Sequence, residues 1–255
     1  MGLSGLEFAY ADGRSVIAGV DLSVQRGEIV GIVGPSGCGK STLLSLIAGL
    51  NRPTAGQVWR QPTHRHPLSM MFQRDTLAPW LRARDNVLLH EKLGGRKNRR
   101  RGGGGQAADD RAHDLLELVG LADRASAFPN ELSGGMKRRL AFLQAIAVEP
   151  EVLLLDEPFS SVDEPTRIGI HQDVFRIAKT MNMTTILVTH DLAEALTLCD
   201  RIVILSQRPS VVAHVHDVTF GPQRDMTTLR ETPEYLKLYA ALWHDLAEEI
   251  KGANR

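Results

Sequence analysis

The sequence predicts an α/β fold built around a parallel β-sheet. Four short apolar segments have the composition of buried strands, and stretches with helical spacing lie between them. Strands that alternate with helices form parallel sheets, because a parallel crossover needs a long connection. The strand segments are IVGIVG at 29–34, EVLLLDEPF at 151–159, TTILVTHD at 184–191 and RIVILSQ at 201–207.

The remaining chain divides into β-rich and helical regions. Residues 3–33 alternate short β-type segments with turns, and residues 55–72 continue that pattern. From about 86 to 147 the apolar residues take helical spacing. We therefore expect a helical insertion between two β-rich parts of the chain.

One polar stretch interrupts the helical region. The segment GRKNRRRGGGGQ at 95–106 contains four consecutive glycines, which disfavour a helix. Its basic run could contact lipid head groups or nucleic acid, but such runs are usually solvated. We expect a flexible, exposed loop here.

The segment 231–252 has the apolar spacing of an amphipathic helix. Its Tyr239 and Trp243 are most simply interpreted as core or docking residues. No internal repeat is visible.

Composition excludes several classes of protein. The chain has 255 residues, enough for a sizeable core, and its 30 Lys and Arg residues equal its 30 Asp and Glu residues. With this balance, the protein has no net positive charge that would attract nucleic acid. The two cysteines, Cys38 and Cys199, suit a reducing compartment and form no disulfide framework. No signal peptide and no apolar run of membrane-spanning length is visible, so a membrane role would require a partner.

The first motif is a phosphate-binding loop. Residues 34–41 match the pattern G-x-x-x-x-G-K-[ST] between a predicted strand and a predicted helix. In loops of this pattern the glycines let the backbone wrap around phosphate, and we expect Lys40 to bridge the β- and γ-phosphates and Ser41 to ligate magnesium. The predicted binding residues are Gly34, Pro35, Ser36, Gly37, Cys38, Gly39, Lys40, Ser41 and Thr42. We expect no redox role for Cys38.

Two other predicted strands end in titratable side chains. Asp156 and Glu157 end VLLLDE, and His190 ends TTILVTH. Sites on open α/β sheets form at the carboxyl ends of the strands. We expect Asp156 to hold magnesium, Glu157 to act as general base toward water, and His190 to reach the γ-phosphate.

Two further pairs of histidines have a spacing that could suggest metal binding. His64 with His66, and His214 with His216, are spaced i, i+2 without further ligand clusters in the sequence. We therefore expect no metal site at either pair.

A second stretch, NELSGGMKRRLAF at 130–142, also predicts a helix start suited to anions. Ser133, Gly134 and Gly135 precede a run with helical polarity and leave backbone amides accessible. The chain therefore carries two candidate phosphate-binding helix starts, far apart in sequence.

These motifs resemble those of the ATP-binding subunits of ABC transporters in order and spacing, over about residues 5–245. The motifs that carry the resemblance are GPSGCGKST at 34–42, FQ at 72–73, LSGGM at 132–136, VLLLDEP at 152–158, SSVD at 160–163 and TH at 189–190. LSGGM is the most specific, since it separates this family from other phosphate-loop ATPases.

The resemblance implies a fold, two cofactors and several roles. The fold would be a P-loop RecA-like core, about 1–85 and 148–207, with an N-terminal antiparallel β subdomain, an inserted α-helical subdomain at about 86–147 and a C-terminal helical tail at about 208–255. ATP and Mg²⁺ would be the cofactors. Further roles are implied for Tyr10 (stacking on adenine), Gln73 (sensing magnesium and water), Ser133, Gly134 and Gly135 (binding γ-phosphate), Asp163 (signalling between paired sites) and His190 (the switch histidine).

The resemblance also implies partners. Two copies would pair head to tail, so that each ATP lies between the phosphate loop of one chain and the LSGGM segment of the other. Stretches at 72–87, 156–167 and 199–210 closely resemble the subunits of nitrate, sulfonate and taurine importers. Such a subunit lies at the cytoplasmic face of the membrane, binds permease subunits and acts indirectly with a periplasmic or lipid-anchored substrate-binding protein.

The alternative is a soluble ABC ATPase that acts on nucleic acid or ribosomes. Such proteins typically carry two ATPase halves, coiled coils or basic arms. The single half, the balanced charge and the lack of heptads disfavour this alternative and predict no nucleic-acid partner.

Overall fold

The described residues form two β-sheets flanked by helices. The computed structural model describes residues 1–60, 68–74, 76–93, 105–221 and 223–252. The strands are β1 (Gly2–Ala9), β2 (Ser15–Ser23), β3 (Ile29–Val33), β4 (Ala55–Trp59), β5 (Leu68–Met71), β6 (Val152–Asp156), β7 (Thr184–Val188), β8 (Arg201–Leu205) and β9 (Val212–Asp217). The α-helices are α1 (Lys40–Ala48), α2 (Ala83–Val87), α3 (Leu89–Leu93), α4 (Gly105–Glu117), α5 (Gly134–Ile146), α6 (Glu164–Thr180), α7 (Leu192–Leu198) and α8 (Pro233–Gly252).

The larger sheet has six strands in the order β5-β6-β7-β3-β8-β9. Every neighbouring pair is parallel except β8 and β9. All five residues of β3 are buried, as are all five of β7, which explains their continuous apolar sequence. The predicted α/β fold with a parallel sheet is confirmed.

The smaller sheet is antiparallel, with the order β2-β1-β4. Leu6 of β1 lies opposite Val20 of β2, and both are buried against the phosphate-loop side of the core. The predicted N-terminal antiparallel subdomain is therefore present.

Helices α2 to α5 form the helical insertion. Leu116 of α4 packs with Leu140, Phe142 and Ile146 of α5 in one buried apolar cluster, which also includes residues of the larger sheet. The structure differs from the sequence prediction at one end, since α4 begins at Gly105, inside the segment that we predicted to be a loop. The rest of that basic segment, up to residue 104, lies outside the described residues.

The resemblance implies a helical tail over 208–255, but only part of this C-terminal region is helical. Its first part forms β9, which pairs antiparallel with β8 at the edge of the larger sheet. Every other residue of VAHVHD can face the same side of a strand, and the open edge of β8 supplies hydrogen-bond partners. Only from Pro233 does the long helix α8 begin.

Helix α8 is amphipathic, as predicted, but its aromatic residues play different parts. Tyr235, Leu242 and Leu246 are buried, whereas the side chain of Trp243 is 55% exposed. A core role for Trp243 is therefore wrong, and a docking role stays a prediction. No helix in the described part of the chain combines the length and apolarity that crossing a membrane requires.

The packing of the helical insertion predicts a measurable stability difference between two leucines. Leu116 is fully buried, so Leu116→Ala should lower the free energy of unfolding by about 2–5 kcal/mol. Leu236 on α8 is 57% exposed, and the matched change Leu236→Ala should cost about 0.5 kcal/mol or less. Denaturant unfolding of both variants measures the difference. Equal losses would contradict the assignment of Leu116 to the core.

Candidate active site

The candidate site lies at one edge of the larger sheet. Strands β5, β6, β7, β3 and β8 are mutually parallel neighbours, so their carboxyl ends meet at this edge. Gln73 follows β5, Asp156 ends β6, and His190 follows β7. The phosphate loop follows β3. The strand order thus brings together residues that are far apart in the sequence.

A cavity of about 410 Å³ opens at this edge. Its walls come from the phosphate loop, from the loops after β6 and β7, and from the segment after β8. The lining residues are Ser36, Gly37, Gly39, Lys40, Ser41, Thr42, Glu157, His190 and Arg208.

Gly39 shows why the phosphate loop needs glycine. Its φ of 114° lies in the left-handed region, and a Cβ there would approach Val16 Cγ1 to 2.8 Å. Gly39 also precedes α1, and no side chain caps this helix start. The loop can therefore present backbone amides and the positive end of the helix dipole to an anion.

Lys40 supplies the positive charge of the loop. Its side chain is buried, and Nζ donates hydrogen bonds to the carbonyl oxygens of Gly34 at 2.8 Å and Pro35 at 3.0 Å. The ammonium group is thus held against the loop backbone, beside the cavity that it lines.

Ser41 and Asp156 form a polar pair below the loop. Ser41 Oγ donates a hydrogen bond to Asp156 Oδ1 at 3.0 Å. Burial raises the pKa of Asp156 and the nearby Glu157 charge adds to this effect, while the Ser41 hydrogen bond and Lys40 oppose it. A hydroxyl next to a carboxylate is an oxygen donor set of the kind that Mg²⁺ prefers.

Glu157 lies between two other candidate residues. Gln73 Nε2 donates a hydrogen bond to Glu157 Oε2 at 3.0 Å, and His190 Nδ1 lies 3.2 Å from Glu157 Oε1. The φ of Glu157 is 43°, which is unusual for a residue other than glycine, and its amide donates to the Val188 carbonyl at 2.8 Å. A strained backbone held in place at a cavity is a frequent feature of functional sites.

Tyr10, beside the loop, and Cys38, within it, are among the predicted residues that do not line the cavity. Tyr10 Oη and Thr42 Oγ1 lie 3.4 Å apart, and the Arg14 guanidinium lies over the Tyr10 ring. Cys38 is buried inside the loop, and burial raises the pKa of its thiol. A thiol held in its neutral form is a poor nucleophile.

The second helix start lies elsewhere. The lining of the cavity, as far as the chain is described, includes none of Ser133, Gly134, Gly135 and Asp163. Ser133 caps α5 by accepting a hydrogen bond from the Met136 amide at 3.3 Å, and Asp163 caps α6. The structure does not bring these residues to the chain's own phosphate loop.

The two glycines of this helix start differ in their surroundings. A Cβ on Gly135 would approach Thr166 Cγ2 to 2.4 Å, so Gly135 packs closely against α6. A Cβ on Gly134 would meet nothing within 4 Å. Gly134 and Ser133 are therefore the accessible part of the segment.

Comparison with known proteins identifies the family. The sequence profile of the family described as ABC transporter matches residues 17–160. This chain belongs to the ABC transporter family. The nitrate import ATP-binding protein NrtD of Synechococcus elongatus is 39% identical over 227 residues, which cover 87% of this chain and 81% of that protein. The aliphatic sulfonates import ATP-binding protein SsuB 1 of Agrobacterium fabrum is 43% identical over 194 residues, which cover 76% of this chain and 67% of that protein.

Solved structures of ABC transporter cassettes are also similar. The dimeric structure of MJ0796, a bacterial ABC transporter cassette, matches with a TM-score of 0.73 and 29% identity, over 86% of this chain and 99% of that chain. A post-hydrolysis state of MJ0796 bound to ADP and Pi matches equally well. The fold predicted from the sequence is confirmed, and the chain is an ATPase of the ABC family.

Three polar residues of this ABC ATPase site were missed by the sequence analysis. Arg208 lines the cavity from the segment after β8, and the buried Ser210 donates a hydrogen bond to the Cys38 carbonyl. Arg138 of α5 donates to the carbonyl of Gln73 and to Ser161 Oγ. No local motif marks these residues, although Arg208 follows a predicted strand whose carboxyl end faces the site.

The geometry of the loop predicts the effect of removing its cation. Lys40→Ala should weaken ATP binding about 10- to 100-fold, because hydrogen bonds between charged groups are lost. The exposed Lys237 on α8 offers a matched control, and Lys237→Ala should bind ATP as the wild type does. Calorimetric titration of each variant with ATP measures both affinities. Wild-type affinity in Lys40→Ala would contradict the assignment.

Proposed function

We propose that this chain is the ATP-binding and ATP-hydrolysing subunit of an ABC importer for a small anion such as nitrate, an aliphatic sulfonate or taurine. The observation that carries the proposal is the Gln73–Glu157–His190 group beside the phosphate loop. The similarity to the nitrate and sulfonate import proteins supports the anion class. The transported anion would cross the membrane through a separate permease.

In this proposal the phosphate loop binds the triphosphate of ATP. The loop amides at 34–42 and the start of α1 would surround the β- and γ-phosphates, and the Lys40 ammonium would exchange its carbonyl partners for phosphate oxygens. Tyr10, beside Thr42, would stack on the adenine. The open space next to Gly37 leaves room for phosphate, since a Cβ there would meet nothing within 4 Å.

Three side chains would hold Mg²⁺ at this site, namely Ser41, Gln73 and Asp156. The 3.0 Å hydrogen bond between Ser41 and Asp156 already brings two of these oxygen donors together. Bound Mg²⁺ would neutralise charge that develops on the phosphate oxygens.

Hydrolysis would depend on the carboxylate of Glu157. It would accept a proton from water as the water oxygen bonds to the γ-phosphorus and the bond to ADP breaks. Gln73 and His190 both contact this carboxylate and would orient it, and His190 would also donate a hydrogen bond to the γ-phosphate. The geometry supports this assignment, because the three side chains come from adjacent strands of one sheet.

A second copy of the chain would complete each site. Ser133 and Gly134 are exposed and lie outside the lining of the chain's own cavity, so their backbone amides would be available to a nucleotide bound by a partner. Asp163, which caps α6, would transmit changes between the two sites. Closure of the dimer around γ-phosphate would then be linked to binding, and hydrolysis would reopen it.

The proposed complex lies at the cytoplasmic face of the membrane. The chain would attach peripherally to permease subunits, and a periplasmic or lipid-anchored binding protein would deliver the anion. Reconstitution with candidate nitrate and sulfonate permeases in vesicles tests this role. We expect ATP hydrolysis to rise when a binding protein loaded with one of these anions is added, and no rise with any of them would overturn the anion proposal.

The general base can be tested separately. Glu157→Gln keeps the shape of the side chain but removes its basicity, so hydrolysis should slow by about 10²-fold or more while ATP binding persists. Phosphate release and nucleotide titration measure the two quantities. The exposed Glu234 on α8 provides the control Glu234→Gln, which should leave both unchanged. Normal turnover in Glu157→Gln would exclude the base assignment.

The shared site can be tested with mixed dimers. Gly134→Asp is a suitable change, because its side chain enters open space and its carboxylate would repel γ-phosphate. One chain carries Lys40→Ala and the other carries Gly134→Asp. If sites are shared, one site collects both defects, and the mixed dimer retains one tightly held ATP.

A reciprocal mixed dimer provides the control. Here one chain carries both substitutions and the other is wild type, so each shared site contains one defect and no ATP should be held tightly. Sites formed within single chains give the opposite pattern in the two dimers. Rapid filtration of dimers with labelled ATP distinguishes the two results.

A further inference from the structure

Two histidines on β9 lie next to carboxylates on α8. His214 and His216 are separated by one residue, so their side chains share a face of the strand. Asp245, Glu248 and Glu249 are spaced three and four residues apart on the helix and therefore share a face of α8. This arrangement is not visible in the sequence, because the two sets of residues come from separate elements.

The distances show that the two faces meet. His216 Nε2 lies 2.7 Å from Asp245 Oδ2, and His214 Nδ1 lies 3.6 Å from the same oxygen. His214 Nε2 lies 3.7 Å from Glu249 Oε1. One ligand atom from each of His214, Asp245 and Glu248 lies within 4.8 Å of the others.

We propose that His214, Asp245 and Glu248 bind a divalent transition-metal ion, with Zn²⁺ as the fitting ion. Imidazole nitrogen and carboxylate oxygen are ligands that Zn²⁺ prefers, and three protein ligands leave one position for water. Tetrahedral bonds of about 2.0–2.1 Å place ligand atoms about 3.3 Å apart. The three residues thus need only small side-chain movements.

The neighbouring residues support a metal site in two ways. His216 contacts Asp245 and would orient its carboxylate, as outer-shell partners of metal ligands do. The carboxylates of Asp245, Glu248 and Glu249 also gather negative charge that a divalent cation offsets. The sequence alone predicts no metal site at this histidine pair, and the proposal departs from that expectation because the carboxylates lie on α8.

The proposed ion has a structural consequence. It would join α8 to the edge strand β9, and so attach the C-terminal helix to the sheet that carries the ATP site. The ligands lie outside the lining of the ATP cavity, so zinc binding and ATP binding should be separable.

Zinc titration of the chelator-treated full chain tests the proposal. Equilibrium dialysis in excess Mg²⁺, followed by metal analysis, should find one Zn²⁺ per chain. His214→Asn and Asp245→Asn should each weaken zinc binding by at least about 10-fold. The control His113→Asn removes an exposed histidine on α4 and should bind zinc as the wild type does.

A second variant and a second measurement distinguish loss of zinc binding from loss of folding. Glu248 is exposed, so Glu248→Gln should fold normally, retain ATP binding and still lose zinc affinity. Saturating Zn²⁺ should raise the melting temperature of the wild type by about 5 °C and that of Glu248→Gln by much less. Zinc binding that is absent in the wild type, or equal in the wild type and the ligand variants, would overturn the proposal.

Discussion

The burial of β3 between β7 and β8 is the constraint on which the site depends. β3 pairs in parallel with both neighbours, and this pairing fixes where the loop that follows it can lie. Gly31 lets α7 approach this strand closely, since a Cβ at that position would lie 2.8 Å from Cys199 Sγ. The glycine-rich phosphate loop can hold a defined shape because both of its ends are fixed. The buried strand β3 precedes the loop, and α1 follows it.

The electrostatics of the site follow from the same arrangement. Parallel strands bring Asp156 and Glu157 to one edge, where burial and mutual repulsion raise the pKa of Asp156. Because the folded state holds this proton more tightly than the unfolded state does, Asp156 lowers stability as pH rises from its ordinary pKa toward the raised one. Ionised carboxylates that are partly buried and repel each other lower the stability of the fold, and a bound cation would offset this repulsion. The chain therefore gives up a little folding stability to keep anionic oxygen donors beside the phosphate loop.

The sequence revealed those parts of the structure whose chemistry is local. The loop at 34–42 and the carboxylates at Asp156 and Glu157 each lie at the end of an apolar run, so the strand pattern and the local motif together located them. Arg208 and Ser210 were not predicted, because they reach the phosphate loop only through the path of the segment after β8. Ser210 contacts the Cys38 carbonyl, and Arg208 lines the cavity. Gly135 packs against Thr166 of another helix, and neither sequence segment alone predicts this contact.

The same reasoning explains why the strand in the C-terminal region was not predicted. The apolar residues of β9 are few, and the segment becomes a strand because β8 has an open edge. The spacing within β9 also does not indicate the carboxylates near His214 and His216, because these carboxylates lie on α8. Long-range pairing of this kind is visible only when the elements are packed together.

A chain of hydrogen bonds links α5 to the candidate site at the edge of the larger sheet. Arg138 lies on α5, which is capped by Ser133 and begins at Gly134, and it donates a hydrogen bond to the Gln73 carbonyl. The Gln73 side chain in turn contacts Glu157. Any movement of α5 relative to the sheet must therefore stretch this connection or carry Gln73 with it. Arg138 also donates a hydrogen bond to Ser161 Oγ, close to the cap of α6 at Asp163, so this side chain joins the helical insertion to two segments beside the candidate site. Hydrogen bonds within one chain therefore connect α5 to the residues that surround Glu157.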